Sequence, residues 1–144
     1  MLILLCLNCC TSKIGNNKNN VGRAIEVEKT YCHDKSSNCD DWNNTRALTI
    51  NLMDGFDGLT KVFVDNEIVF NDKAITNMSL SFAESVGPIS VDKESLNLKV
   101  INSRGEGFSV EITSDYNYIN VYFLGYDKSL KAVIKHSNHK TIGY

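Results

Sequence analysis

Four groups of residues in this chain have types and spacings that could do chemistry. Five cysteines come first: Cys6, Cys9 and Cys10 in an apolar leader, Cys32 and Cys39 in a polar loop. None follows residue 39, which argues against a thiol active site, or a mainly cysteine-built zinc site, in the remainder. The second group is Asp54-Gly-Phe-Asp-Gly58, where Asp54 and Asp57 stand among glycines and could offer hard oxygen ligands to Ca²⁺. It lacks the alternating carboxylates of an EF-hand, and a glycine-rich inter-strand turn is the preferred reading. Third is a row of tyrosines: Tyr116, Tyr118 and Tyr122 at even spacing, with Asn120 between them. On an extended strand these residues share a face, and aromatic rings beside an amide suit a glycan or a protein partner. Cross-strand packing that stabilises a sheet accounts for the same pattern and is preferred. The last group, His136 and His139, forms a His-x-x-His in a polar tail. Metals use that spacing on a helix; no helix is evident, so solvent-exposed tail histidines are expected.

Enzymatic constellations are thin. There is no glycine-rich phosphate loop and no nucleophile elbow, and a paired-carboxylate site would need a deep cleft that a small all-β domain seldom encloses. The chain is therefore expected not to be an enzyme, with a small hydrolase as the remaining alternative. The formal charge of −2 and the scattered lysines and arginines set nucleic-acid binding aside.

Two readings compete for Cys32 and Cys39. A local disulfide would stabilise a short loop by roughly 2–3 kcal/mol on the loop-entropy account. A metal site using Cys32, His33 and Cys39, with Asp40, lacks both a C-x-x-C spacing and an evident fourth ligand. The disulfide is preferred.

The leader Met1-Leu-Ile-Leu-Leu-Cys-Leu-Asn-Cys-Cys10 is too short to span a bilayer, which needs about 20 residues. Its leucine-rich run, then Leu7-Asn8-Cys9-Cys10, then polar Thr11-Ser12-Lys13, resembles the end of a bacterial lipoprotein signal. The resemblance implies that Cys10 is lipidated and becomes the mature N-terminus, and that the protein sits in the cell envelope, held to a membrane by its lipid. No basic residue precedes Leu2, as a start placed too late or a truncated fragment would explain.

These groups need elements to position them. Residues 11–44 read as a flexible tether carrying the Cys32/Cys39 loop, with a weak strand over Arg23 to Tyr31 that could add to a sheet edge. From residue 45 to 144 the period is two almost everywhere. Apolar residues alternate at Leu48-Ile50-Leu52, Val62-Val64, Met78-Leu80-Phe82, Ile89-Val91, Leu96-Leu98-Val100, Phe108-Val110-Ile112, Ile119-Val121-Phe123 and Leu130-Ala132-Ile134. Asp65-Asn66 marks a hairpin turn, Gly87-Pro88 a break, and Trp42 a cover over one end. About eight short strands and no sustained helical period predict an all-β fold, a single two-sheet antiparallel β-sandwich. Immunoglobulin-like and jelly-roll topologies both fit.

The hairpin Lys61-Val-Phe-Val-Asp-Asn-Glu-Ile-Val-Phe70, followed by Leu96-Asn-Leu-Lys-Val100, resembles small β-sandwich domains of secreted and surface lipoproteins. That resemblance spans residues 46 to 135 loosely and carries no catalytic motif. The expectation is thus a lipid-anchored envelope protein with a non-catalytic β-sandwich that binds or scaffolds, its partner an envelope protein or a glycan. A calcium-assisted carbohydrate module is the alternative.

Overall fold

The computed structural model describes residues 9–17, 24–32, 46–126 and 129–138. They form ten strands and no helix: β1 Cys9–Asn17, β2 Ala24–Cys32, β3 Arg46–Leu52, β4 Asp57–Val64, β5 Glu67–Ile75, β6 Glu84–Val91, β7 Ser95–Ile101, β8 Gly107–Thr113, β9 Tyr118–Tyr126 and β10 Ser129–Ser137. Two sheets result, one of six strands in the order β1-β2-β10-β9-β3-β6 and one of four in the order β5-β4-β7-β8. The expected two-sheet sandwich is what the chain forms.

The period-two pattern explains why. Leu48, Ile50 and Leu52 on β3, Ile119, Val121 and Phe123 on β9, and Leu130, Ala132 and Ile134 on β10 are all buried. They meet Val62 and Val64, Leu96, Leu98 and Val100, and Phe108, Val110 and Ile112 from the smaller sheet in one core. Each such Val, Leu, Ile or Phe side chain gains roughly 1.5–3 kcal/mol from leaving water. Phe123 lies at the centre, its ring 5.4 Å from both Phe56 and Phe108. Asp65 and Asn66 both take positive φ, +48° and +67°, so the β4–β5 connection is the two-residue hairpin turn whose twist suits flanking strands.

Pairing departs from expectation in direction. β2 runs parallel to β10, and β3 parallel to β9, so the larger sheet is mixed rather than wholly antiparallel. After β3 the chain crosses to the other sheet for β4 and β5, returns for β6, crosses again for β7 and β8, and comes back for β9 and β10. Those excursions are the long connections that parallel neighbours require. Alternation along a strand reports which face is wet and carries no information on a neighbour's direction.

Three local expectations are also corrected. The strand layer begins before residue 45: β1 pairs with β2, and β2 lies inside the sheet rather than at its edge, with Cys10 opposite Tyr31. Ile25 and Val27 had a legible inward phase, whereas the polar β1 is held by backbone pairing that leaves no hydrophobic period. Met78, Leu80 and Phe82 do not lie on a strand. They belong to a tight turn closed by a bridge between Asn77 and Phe82, with Ser81 at φ +50°. Gly87-Pro88 does not end a strand: β6 runs through it, and the two residues stand opposite the single Thr49 of β3 where the register shifts, on an edge strand that tolerates a proline.

Candidate functional site

The tyrosine row divides. Tyr118, Asn120 and Tyr122 point away from the core on the outer face of β9, opposite Ser137, Lys135 and Val133 of β10. Tyr116 precedes β9 and does not share that face. It turns to the inner side, where its ring lies 5.8 Å from Tyr31 and 5.6 Å from His136. The strand pleat that would have aligned it starts two residues later.

On the outer face the amides serve the sheet itself. The Asn51 Nδ2 donates to Asn120 Oδ1 at 2.9 Å, and Ser85 Oγ donates to Asn51 Oδ1 at 2.9 Å, a polar row crossing β9, β3 and β6. Both asparagines are buried. Tyr122 is half-buried, with the Lys135 ammonium 4.9 Å from its ring centre. β2 does not fold over this face; it extends the same sheet beyond β10.

The Asp54 to Gly58 stretch is a turn that runs straight into β4. Its geometry depends on Gly55, at φ +92°, where a Cβ would stand 1.9 Å from the carbonyl oxygen of Phe123. The close approach arises because the chain leaving β3 stays beside β9, with Met53 N–H donating to Val121 O and Phe123 N–H to Asp54 O, both at 2.8 Å. Phe56 is thereby driven into the core, and Asp57 faces the β7–β8 turn. There Ser103 Oγ donates to one Asp57 carboxylate oxygen, and the Arg104 guanidinium lies 3.4 Å from the other. Asn102 shapes that turn, its Oδ1 accepting from the N–H groups of Arg104 (3.0 Å) and Glu106 (2.9 Å). Among the described residues no group of three or more His, Cys, Asp or Glu side chains is arranged to hold a metal ion.

Around this turn lies a cleft of about 610 Å³ at one end of the sandwich. Phe56, Phe123 and Leu130 supply apolar lining; Asp57, Arg104 and Thr76 supply polar groups. Thr76 is a staple: its Oγ1 donates to Met53 O at 2.8 Å and accepts from Phe56 N–H at 3.0 Å. Beyond it the Asn77–Phe82 turn is held by Asn77 N–H to Phe82 O (2.8 Å) and Ser79 N–H to Asn77 Oδ1 (3.0 Å). That rigid turn displays Met78 at 86% and Leu80 at 50% exposure. Ile75, which also lines the cleft, and Leu59 are exposed as well and lie diagonally on the outer face of the smaller sheet. Isolated exposed apolar residues are ordinary; apolar residues exposed together beside a cleft, as Ile75 and Met78 are, are the usual mark of a contact surface.

The opposite end is closed by His136, which is not a tail histidine. It is fully buried, on β10 opposite Ile119, in the same inward phase as Leu130, Ala132 and Ile134. That phase was legible, and polarity at residues 135–140 obscured it. The Nδ1 of His136 donates to the Thr30 carbonyl at 3.1 Å, and its ring stacks on Tyr31 at 4.4 Å. Burial is the main cause that lowers its pKa from 6.5 to about 4; the Thr30 hydrogen bond opposes this, and the Lys29 ammonium reinforces it.

Residue type alone does not single out Arg104, Asn102 and Met78, because loops that are far apart in the chain bring them to one end. Cys39, His33, Asp40, Trp42 and His139 lie outside the described residues, as does the side chain of Cys32. No protein-family model matches the chain, and comparison with curated proteins and with solved structures finds no match.

Proposed function

We propose that the protein is a non-catalytic, lipid-anchored envelope component whose β-sandwich binds or scaffolds another envelope protein through its cleft end. The observation that carries this reading is the exposure of Met78 and Leu80 on a turn held in one shape by its own hydrogen bonds. A flexible loop could hide apolar side chains; this one keeps them in water, and covering them with a partner returns roughly 25 cal/mol per Å² of apolar surface. Arg104 and Asp57, which line the cleft together with Met78, supply a polar rim, the usual surround of such a contact. The envelope location rests on the leader, whose Cys10 is the lipid-bearing residue of the proposal.

A photo-cross-linking residue placed at Met78 in cells making the full chain tests the reading. One envelope-protein adduct, lost in Leu80→Asp, is the expected result, together with a lipid-modified Cys10 in mass spectra of the membrane fraction. Absence of any adduct, with glycan-array binding that disappears in Tyr118→Ala and Tyr122→Ala, would move the site to the outer face and the partner to a carbohydrate.

A further inference from the structure

β2 is tied to the rest of the sandwich at one end by groups that respond differently to acid. Thr30 offers its carbonyl to His136 Nδ1–H, Tyr31 stacks on the His136 ring, and Lys29 Nζ donates to the Glu111 carbonyl of β8 at 2.9 Å. A carbonyl can only accept, so the Nδ1 nitrogen must carry the proton, and the neutral ring is left with a lone pair at Nε2. That Nε2 is buried and has no hydrogen-bond partner among the described residues. An unpartnered lone pair is tolerable; an unpartnered N–H on a buried cation is far more costly.

The groups facing the ring make protonation worse. From β2 come the Lys29 ammonium and the Tyr31 phenol ring; from the β8–β9 turn comes Tyr116; β9 presents apolar Ile119. Asp115, in the same turn as Tyr116, is 3.1 Å from the guanidinium of Arg46. The charge acting on His136 is therefore Lys29's, of the same sign as the imidazolium.

We propose that the His136–Thr30–Tyr31 cluster is an acid-sensitive latch that holds β2, and with it the β1–β2 hairpin, against the sandwich. A proton taken from solvent at Nε2 needs an acceptor, and the ring finds one only if β2 moves away. Among the described residues β1 has no strand on its other side, so β1 and β2 can separate from β10 while the β3-to-β10 core stays paired. The hairpin includes Cys10, so the latch sets how closely the proposed anchor point is held to the domain.

Because the folded ring has its pKa depressed below the value in the open state, the latch is at full strength above pH 6.5 and weakens as pH falls from there toward 4. Hydrogen exchange followed by mass spectrometry on the full chain, corrected for intrinsic rates, reads the opening. Between pH 7.5 and 4.5 the β2 amides should lose protection by about 70-fold, the ratio set by pKa values of 6.5 and about 4, while β7 and β8 amides change little. In His136→Phe, which keeps a ring without a titratable nitrogen, the pH dependence of β2 should vanish. Equal loss in β7 and β8, no loss in β2, or a dependence that survives in His136→Phe would overturn the latch. Should the variant not fold, NMR titration of the wild-type imidazole decides: a pKa near 4 supports the latch, and one above 6 refutes it.

Discussion

The two ends of the β9–β10 hairpin are built from opposite materials. At the His136 end, mainly strand side chains close the space between the sheets: a histidine in core phase with Tyr31 of β2 stacked on it, joined by Tyr116 from the β8–β9 turn. At the Gly125 and Leu130 end, loops decide the shape: Gly55 bends the chain past Phe123, Asn102 folds the turn that presents Arg104, and the Asn77–Phe82 turn holds Met78 in water. One end spends its polar groups inside the fold and leaves a single titratable switch. The other keeps apolar and charged groups at the surface. The difference teaches that strand pattern governs closure and that loop conformation governs what is offered to a partner.

The contrast can be broken most severely at Gly55. Gly55→Ala places a methyl against the Phe123 carbonyl at a positive φ, and a loss on the order of 3–5 kcal/mol is expected in urea unfolding, with the cleft end deformed. A cost under about 1 kcal/mol would mean that the β3–β9 approach is looser than described.

An intermediate effect is expected at the closed end. Tyr31→Leu removes the stack on His136 and the contact with Tyr116 while keeping an apolar group, and should cost about 1–2 kcal/mol. The same variant should raise the fraction of open β2 in hydrogen exchange. Unchanged protection would show that the ring is not part of the closure.

The smallest effect is expected at the cleft mouth. Arg104 and Asp57 are both well exposed, so solvent screens their attraction, and Arg104→Ala should leave the unfolding midpoint within about 0.5 kcal/mol of the parent. Its consequence belongs to binding: the Met78 cross-link should weaken while thermal melting does not move. Arg104→Ala that destabilises the fold strongly would make the mouth structural, and the contrast between the ends would fail.

Much of the fold is legible in the sequence. The inward phases of β3, β7, β8, β9 and β10 and the Asp65-Asn66 turn follow from local chemistry, since a pleated strand with one wet face must alternate. Met78 to Phe82 is the exception, because Met78-Ser-Leu-Ser-Phe82 alternates as a strand would. Only the bridge from Asn77 to Phe82 shows that the period is spent on a turn. The candidate sites were less legible. Tyr118, Asn120 and Tyr122 share one face, as even spacing implies, but Tyr116 of the same row does not, and Asn51 and Ser85, which occupy the Asn120 amide row, come from strands remote in the chain.

By itself the sequence determined the two-sheet sandwich, the identity of most core residues and the tight β4–β5 hairpin. Each depends on residues within a few positions of one another. Tertiary structure alone decided the mixed strand order, the inward turn of Tyr116, the joining of Asp57 to Arg104 and the burial of His136 against Thr30. Those outcomes depend on which strands become neighbours after the chain has crossed between sheets. A period-two pattern says which way a side chain points, and only the assembled sheets say what it meets there.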